Sequence, residues 1–415
     1  VECHPVDTVL WDDNSVVHLA HRIRLDPTAT QAAYFVQACG VARFAYNWAL
    51  AEWRRQHDAG ENPSEVALRR QLNTVKNVQF PWMRSVTKNA PQQAIKNLGR
   101  AQANFFNDLA RYRRGEISWK RVRVPTFRKK GRQDRFRADN GPEKRYHDAV
   151  HTDGKRVKLP VIGWVAMREE VRFAGRILSV TISRRADAWY ASFTIEVHYE
   201  PDLRADTSLV GVDLGITVLA TLSDGSDPVP APKPLRRYLK KLVRLSHALS
   251  RKQRGSKNRA KAKIKLARLH RRISDIRADS LHKLTTYLTR YRTIVIEDLN
   301  VGGMLANRHL SRAIFDVGMF ELRRQIEYKA AMAGSSVVVA RRWFPSSKLC
   351  STCGAKNESL TLAQRNWTCL SCGMSHDRDR NAALNLARYA ESSAASACGA
   401  VGSGGDRKVV VKPAA

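Results

Sequence analysis

Two Cys-x-x-Cys pairs, Cys350/Cys353 and Cys369/Cys372, stand near the C-terminal end with fifteen residues between them. No other short pattern in the chain restricts its folding so strongly. Thiolates in such pairs converge on one tetrahedral Zn²⁺, and the intervening length lets two knuckles face each other as a zinc ribbon. Four protein ligands fill the coordination sphere, so the zinc is expected to be structural. His376 is a competing donor, but a fourth thiolate is already at hand. Cys3, Cys39 and Cys398 fall into no evident pairing, which suits a reducing compartment.

The charge points to the partner. Lys and Arg outnumber Asp and Glu by 72 to 38, and the isoelectric point is near 10.4, so a polyanion is implied and nucleic acid comes first. An anionic membrane would satisfy the same electrostatics, but no apolar run approaches the ~18 residues that span a bilayer. The acidic opening "VECHPVDTVLWDD" does not read as a signal peptide. A soluble cytoplasmic protein without a membrane partner is expected. At 415 residues, 43% of them apolar, the chain has room for two or three domains with sizeable cores.

Periodicity divides the chain. "VVHLAHRIRLDPT" reads as a strand, after which Thr28 and Gln31 offer a capping box for a helix through "AYNWALAEWRRQ". Ala94, Leu98, Ala101, Phe105, Leu109 and Tyr112 recur at helical steps until Gly115. A basic stretch with interleaved aromatics, "WKRVRVPTFRKKGRQDRFR", precedes a hairpin. There Leu178, Val180 and Ile182 share one face, as do Trp189, Ala191, Phe193, Ile195 and Val197 across the turn. Residues 1–207 thus read as a small β domain interrupted by a helical insertion. From Ser208, apolar strands alternate with helices, which indicates an α/β domain. Two of its helices, broken near Gly255, carry apolar stripes at Leu235, Leu239, Leu242 and Leu249, then Leu269, Ile273, Ile276 and Leu284. Their other faces are almost solid Lys and Arg and are expected to contact phosphate. The tail 392–415, rich in small residues, is expected to be disordered.

Three acids end core elements. Asp213 lies in the apolar "VGVDLGI", Glu297 sits at the end of "TIVIED", and Asp379 stands where "DRDRNAALNLARYA" begins a helix. A lone acid in an apolar strand suffers desolvation unless a cation meets it, so together they make a plausible Mg²⁺ or Mn²⁺ site. Such a cluster suits a two-metal nuclease. Strand Asp, strand Glu and helical Asp is the order of a ribonuclease-H-like fold of the RuvC type. Asp377 is the alternative third acid. No Ser-His-Asp arrangement, Walker loop or GxGxxG is present.

These motifs resemble the TnpB proteins of insertion sequences, RNA-guided DNA endonucleases related to type V CRISPR effectors. "HRIRLDPTATQ", "ARFAYNWAL", "GVDLGI", "IEDLN", "FPSSKLCSTCG" and "HDRDRNAALNLAR" carry the resemblance, in that order and over nearly the whole chain. It implies that Asp213, Glu297 and Asp379 are the catalytic triad holding Mg²⁺, with Cys350, Cys353, Cys369 and Cys372 as the inserted ribbon. It implies a wedge-like β-barrel from residues 1–27 and 112–207, a helical recognition insertion at 28–111, a RuvC domain at 208–345 and 376–391, and the ribbon at 346–375. The partners would be a guide RNA from the transposon end and double-stranded target DNA beside a short adjacent motif. Tyr46 and Trp48 either mark the family's usual start or are core. The rival readings are a guided DNA-binding repressor without catalysis and a transposase acting on transposon ends.

Overall fold

The computed structural model describes residues 16–132, 134–140, 149–198, 208–361 and 363–398. Its chain divides into two compact units, Asn14–Tyr199 and Glu200–Ala415.

In the first unit, β1 (Val16–Asp26) leads into the long helix α1 (Ala29–Asp58). Thr28 Oγ1 accepts from the Gln31 N–H at 3.3 Å and Gln31 Oε1 accepts from the Thr28 N–H at 3.0 Å, so the capping box forms. Two more helices follow, α2 (Glu65–Gln79) and α3 (Asn89–Arg113). In α2 only Leu68 and Leu72 are buried, too few to give a clear helical period in the sequence. The remaining strands are β2 (Arg135–Asp139), β3 (His151–Asp153), β4 (Arg156–Leu159), β5 (Gly163–Met167), β6 (Arg176–Arg185) and β7 (Ala188–His198). They join β1 in an antiparallel sheet of order β2-β6-β7-β1-β5-β4-β3. Ile23, Ile182 and Phe193 of the sheet share one core with Phe35, Ala42 and Leu98 of the helices. One expected face is corrected. The β6–β7 register shifts between Ile177 and Ser179, so Ser179 is buried and Leu178 only half-buried. The extra residue of this β-bulge breaks the alternation that placed Leu178 with Val180.

The second unit opens with β8 (Leu209–Leu214), β9 (Val218–Leu222) and β10 (Val229–Pro230), followed by the helical pair α4 (Pro234–Ser250) and α5 (Lys257–Leu288). Next come β11 (Thr293–Glu297), α6 (Val301–Ala306), α7 (Ser311–Val317), α8 (Met319–Met332) and β12 (Ser336–Ala340). The short strands β13 (Asn366–Thr368) and β14 (Ser375–Asp377) then precede α9 (Arg378–Cys398). The main sheet has the order β10-β9-β8-β11-β12; β11 runs parallel to β8 and β12, whereas β9 runs antiparallel to β8.

Period-two alternation sorts the two faces of this sheet. Val210, Val212, Ile294 and Ile296 pack with Leu281 and Leu284 of α5 and with Leu322 and Ile326 of α8. Val295 and Ala340 point to the other face, onto Leu386 and Ala390 of α9. Asp213 and Glu297 follow Gly211 and Val295 by two residues each and therefore belong to the α9 face. The expected leucine stripe of α4 is only half-buried, whereas Leu269, Ile273 and Leu284 of α5 are buried. Buried Asp316 of α7 accepts from the Leu235 and Arg236 N–H groups at 2.7 and 2.8 Å, fixing the start of α4. Residues 392–398 extend α9, so that part of the expected tail is helical, in keeping with its alanines. Residues 399–415 of the tail, and 1–15 of the expected first barrel segment, lie outside the described residues. Among the described residues no helix is long and apolar enough to cross a membrane.

Candidate active site and zinc ribbon

The acids meet at the ends of parallel neighbours. Ile296 and Val212 are the last registered pair of β11 and β8, and Glu297 and Asp213 stand one step beyond. Gly211 lets α9 approach this point: a Cβ there would lie 2.1 Å from the Ala383 carbonyl oxygen and 2.5 Å from the Ala387 nitrogen. The absence of a side chain thus sets the helix against the strand and brings Asp379, in its first turn, toward Asp213.

Electrostatics reports the convergence. Burial first, then the charges of Glu297 and Asp379, push the Asp213 carboxyl up to about 8, against the opposing pull of Arg378 and Arg365. Glu297 Oε1 accepts from the Ser346 hydroxyl. Asp379 receives Arg365 Nη1 at 3.1 and 3.3 Å, an ion pair with the segment leading into β13. Asp298, next to Glu297, is turned elsewhere: Arg323 and Arg342 hold it at 3.0 and 2.7 Å and keep its carboxyl below the usual range. Asp377 caps α9, its Oδ1 accepting from the Arg380 N–H at 2.9 Å.

The cysteines come together more tightly. Among the described residues, Cys350, Cys353, Cys369 and Cys372 are the set of metal-ligating side chains whose donor atoms all lie within 4.8 Å of one another. Asp213, Glu297 and Asp379 do not close to that distance. Cys350 and Cys372 sulfurs are 3.6 Å apart, as are those of Cys353 and Cys369. The two knuckles repeat one turn: the Gly354 N–H bonds to the Cys350 carbonyl and the Gly373 N–H to the Cys369 carbonyl, both at 2.8 Å. Burial raises the Cys350 thiol, but the Cys353 and Thr352 N–H groups and His376 outweigh it and bring it down to about 5. His376 Nε2 lies 3.1 Å from Cys350 Sγ, at the edge of a set that four thiolates already complete.

Two side chains that sequence reasoning passed over join ribbon and helix. Asn381 Oδ1 accepts from the Ser351 N–H at 2.8 Å and its amide donates to the Leu349 carbonyl at 2.6 Å. The Asn385 amide donates to the Ser346 and Leu349 carbonyls, both at 2.7 Å. Both are buried, one helical turn apart on the helix that carries Asp379. The available signal was two amides on the apolar stripe of "NAALNLA". In the other unit, Tyr46 is 4% exposed within the core, with the Arg128 guanidinium 3.6 Å above its ring. Trp48 packs half-buried against the same core.

Comparison with known proteins now bears on this geometry. Residues 192–308 match a family described as "Probable transposase", and residues 320–386 match a "Cas12f1-like, TNB domain". Residues 15–62 match a "Helix-turn-helix domain"; here they span β1, α1 and the turn after it. A "Putative RNA-guided DNA endonuclease" of Streptomyces pristinaespiralis is 40% identical over 390 residues, 92% of this chain and 91% of that protein. The chain belongs to the TnpB family. Another TnpB-family relative, "Putative RNA-guided DNA endonuclease InsQ" of Escherichia coli K12, is 32% identical over 92% of this chain and 94% of its own length. The fold of this TnpB-family chain is also that of a solved protein in the "Cas12f1-sgRNA-target DNA complex", with a TM-score of 0.54 at 13% identity, covering 91% of this chain and 99% of the other.

Proposed function

We propose that this chain is an RNA-guided DNA endonuclease whose second unit cuts target DNA with Asp213, Glu297 and Asp379. The observation that carries the reading is the electrostatic convergence of three acids from two parallel strand ends and one helix start, where burial and then its fellow acids push the Asp213 carboxyl up to about 8. The sheet order, with β9 reversed beside parallel β8, β11 and β12, supports a RuvC-type, ribonuclease-H-like domain. The family relatives named for guided endonuclease activity support the same reading.

The donor set fits Mg²⁺ or Mn²⁺: hard carboxylate oxygens gathered where burial and then mutual repulsion raise a proton affinity that a divalent cation would replace. When bound, the metal supplies activation of water and stabilisation of the leaving oxygen of a phosphodiester. Asp213 and Glu297 would hold it from the sheet and Asp379 from α9. Ser346 fixes the Glu297 carboxylate by donating to it. The cysteine set fits Zn²⁺, which would lock the knuckles and, through Asn381 and Asn385, the start of α9.

The partners follow from charge and family. From Pro234 to Ser274 the sequence carries sixteen Lys and Arg and no Asp or Glu, a surface for the phosphates of a guide RNA encoded at the transposon end. Sequence reading is then left to base pairing with double-stranded target DNA beside a short adjacent motif. In this assignment the first unit supplies the wedge-like barrel and the helical recognition insertion at 28–111. Asp213→Ala is expected to abolish Mg²⁺-dependent cleavage of a target matched to the co-purifying RNA while leaving that RNA bound. Undiminished cutting by this variant would reject the triad.

A further inference from the structure

Trp343 is 89% exposed, the most exposed tryptophan among the described residues. The loop that carries it is anchored on every side. It leaves β12 at Ala340, the strand partner of Glu297. Arg342 bonds Asp298 at 2.7 Å, and buried Ser346 donates to Glu297 itself. The Phe344 N–H closes a turn on the Arg341 carbonyl at 2.9 Å, and the Phe344 ring packs on Tyr389 of α9 with centroids 4.9 Å apart. Of the loop's three apolar side chains, Phe344 and Pro345 are half-buried and only Trp343 is exposed. Among the described residues no aromatic ring or guanidinium stacks on it. A large flat apolar ring is thus held in water on a loop tied to Glu297 and α9, free to meet a flat partner.

We propose that Trp343 is a stacking platform for an unpaired nucleobase of the strand presented to Asp213, Glu297 and Asp379. A base inside a duplex has both faces covered by its neighbours, so an exposed indole can take only a base whose face is open. Arg341, exposed two residues before the ring, adds positive charge to the loop for an adjoining phosphate, while Arg342 is held by Asp298. The platform therefore selects single-stranded DNA at the cutting step and positions the scissile phosphate by holding the base next to it. The inference rests on the reading of the acids as a DNA-cutting site.

Two measurements test it. In the first, the protein with its co-purifying RNA is titrated, without divalent metal, with a short single-stranded oligodeoxynucleotide while tryptophan fluorescence is followed. Wild type is expected to show a quenched component that W343F lacks; equal quenching in both overturns the platform whether or not DNA is cut. In the second, single-turnover cleavage is measured on targets carrying one abasic site at a time. On intact target W343A should be slower by on the order of ten- to a hundred-fold, and W343F should restore most of the rate. One abasic position close to the cut should cost wild type the same factor and W343A nothing further. Losses that multiply at every position would overturn the inference. A wild type that shows the quenching but cuts no DNA would reject the acid assignment while leaving the stacking site in place.

Discussion

Replacing Gly211 by alanine tests how the site is assembled without touching any acid. The added Cβ would meet the Ala383 oxygen at 2.1 Å and the Ala387 nitrogen at 2.5 Å, where ordinary contact begins near 3.4 Å. Both atoms are helix backbone, so no side chain can turn away, and α9 must back off the sheet by about 1 Å. Gly211 cannot yield instead, because its N–H bonds Ser223 Oγ at 2.9 Å and its carbonyl accepts the Ser223 N–H at 3.0 Å. Forced overpacking of this kind costs about 1–3 kcal/mol. In a unit of this size that lowers the melting temperature by roughly 2–12 °C. The functional effect should be larger, because a displacement of about 1 Å at a reacting centre costs on the order of 100-fold in rate. Asp379 rides on the displaced helix, Asp213 and Glu297 do not. Thermal melting and guided cleavage are read side by side, with Gly40→Ala as control, since a Cβ at Gly40 meets only the Arg43 guanidinium at 3.9 Å. Cleavage within two-fold of wild type, at an unchanged melting temperature, would refute the claim that the bare strand position sets Asp379.

Further predictions concern the same assembly. Asn381→Ala leaves the Ser351 N–H buried without its acceptor and should destabilise the second unit by about 1–3 kcal/mol, measured by chemical denaturation; an unchanged midpoint would show that the clamp is not needed. The raised Asp213 carboxyl gives a signed pH dependence. Between its ordinary 3.8 and about 8 the folded protein holds a proton that the unfolded chain has lost, so in Mg²⁺-free buffer stability should fall as pH rises through that window. Asp213→Asn should flatten the slope. Mg²⁺ binding, which displaces the proton, should strengthen with pH up to about 8, as calorimetry would show. Removing zinc with a chelator, or Cys353→Ser, should lower the melting temperature of the second unit; metal analysis of purified protein finding no zinc would reject the ribbon.

Much of this architecture was legible in the sequence because its signals are local. Thr28 and Gln31 sit three residues apart, and the paired cysteines carry their own spacing. Asp213 and Glu297 stand out because an acid closing an apolar strand is anomalous on its face. What could not be read depended on contacts far along the chain. Asp316 looks like any helix residue until α4 folds back to place Leu235 and Arg236 against it. The bulge at Leu178 is invisible because a register shift leaves the alternating pattern of both strands intact in one dimension. Gly211 is one of 23 glycines, and only the approach of a helix from residues 383–387 gives it meaning.

The position of Asp377 and Asp379 in "HDRDRN" shows how one short run divides its work. Asp377 ends β14 and closes the first turn of α9, so its carboxylate is spent on the backbone at Arg380. Asp379, two residues on, is turned by the helix toward the strand ends, where Arg365 of the ribbon meets it. The third acid is therefore governed from three sides: by a cap at its own helix start, by the glycine that admits the helix, and by two asparagines that tie the helix to the first cysteine knuckle. Loss of zinc should then act on catalysis through position. Zinc-depleted protein should lose cleavage in proportion to the fraction whose α9 amides, beginning at Asn381, have lost hydrogen-exchange protection. Cleavage that falls while those amides stay protected would show that the ribbon contributes to the reaction by some route other than holding Asp379.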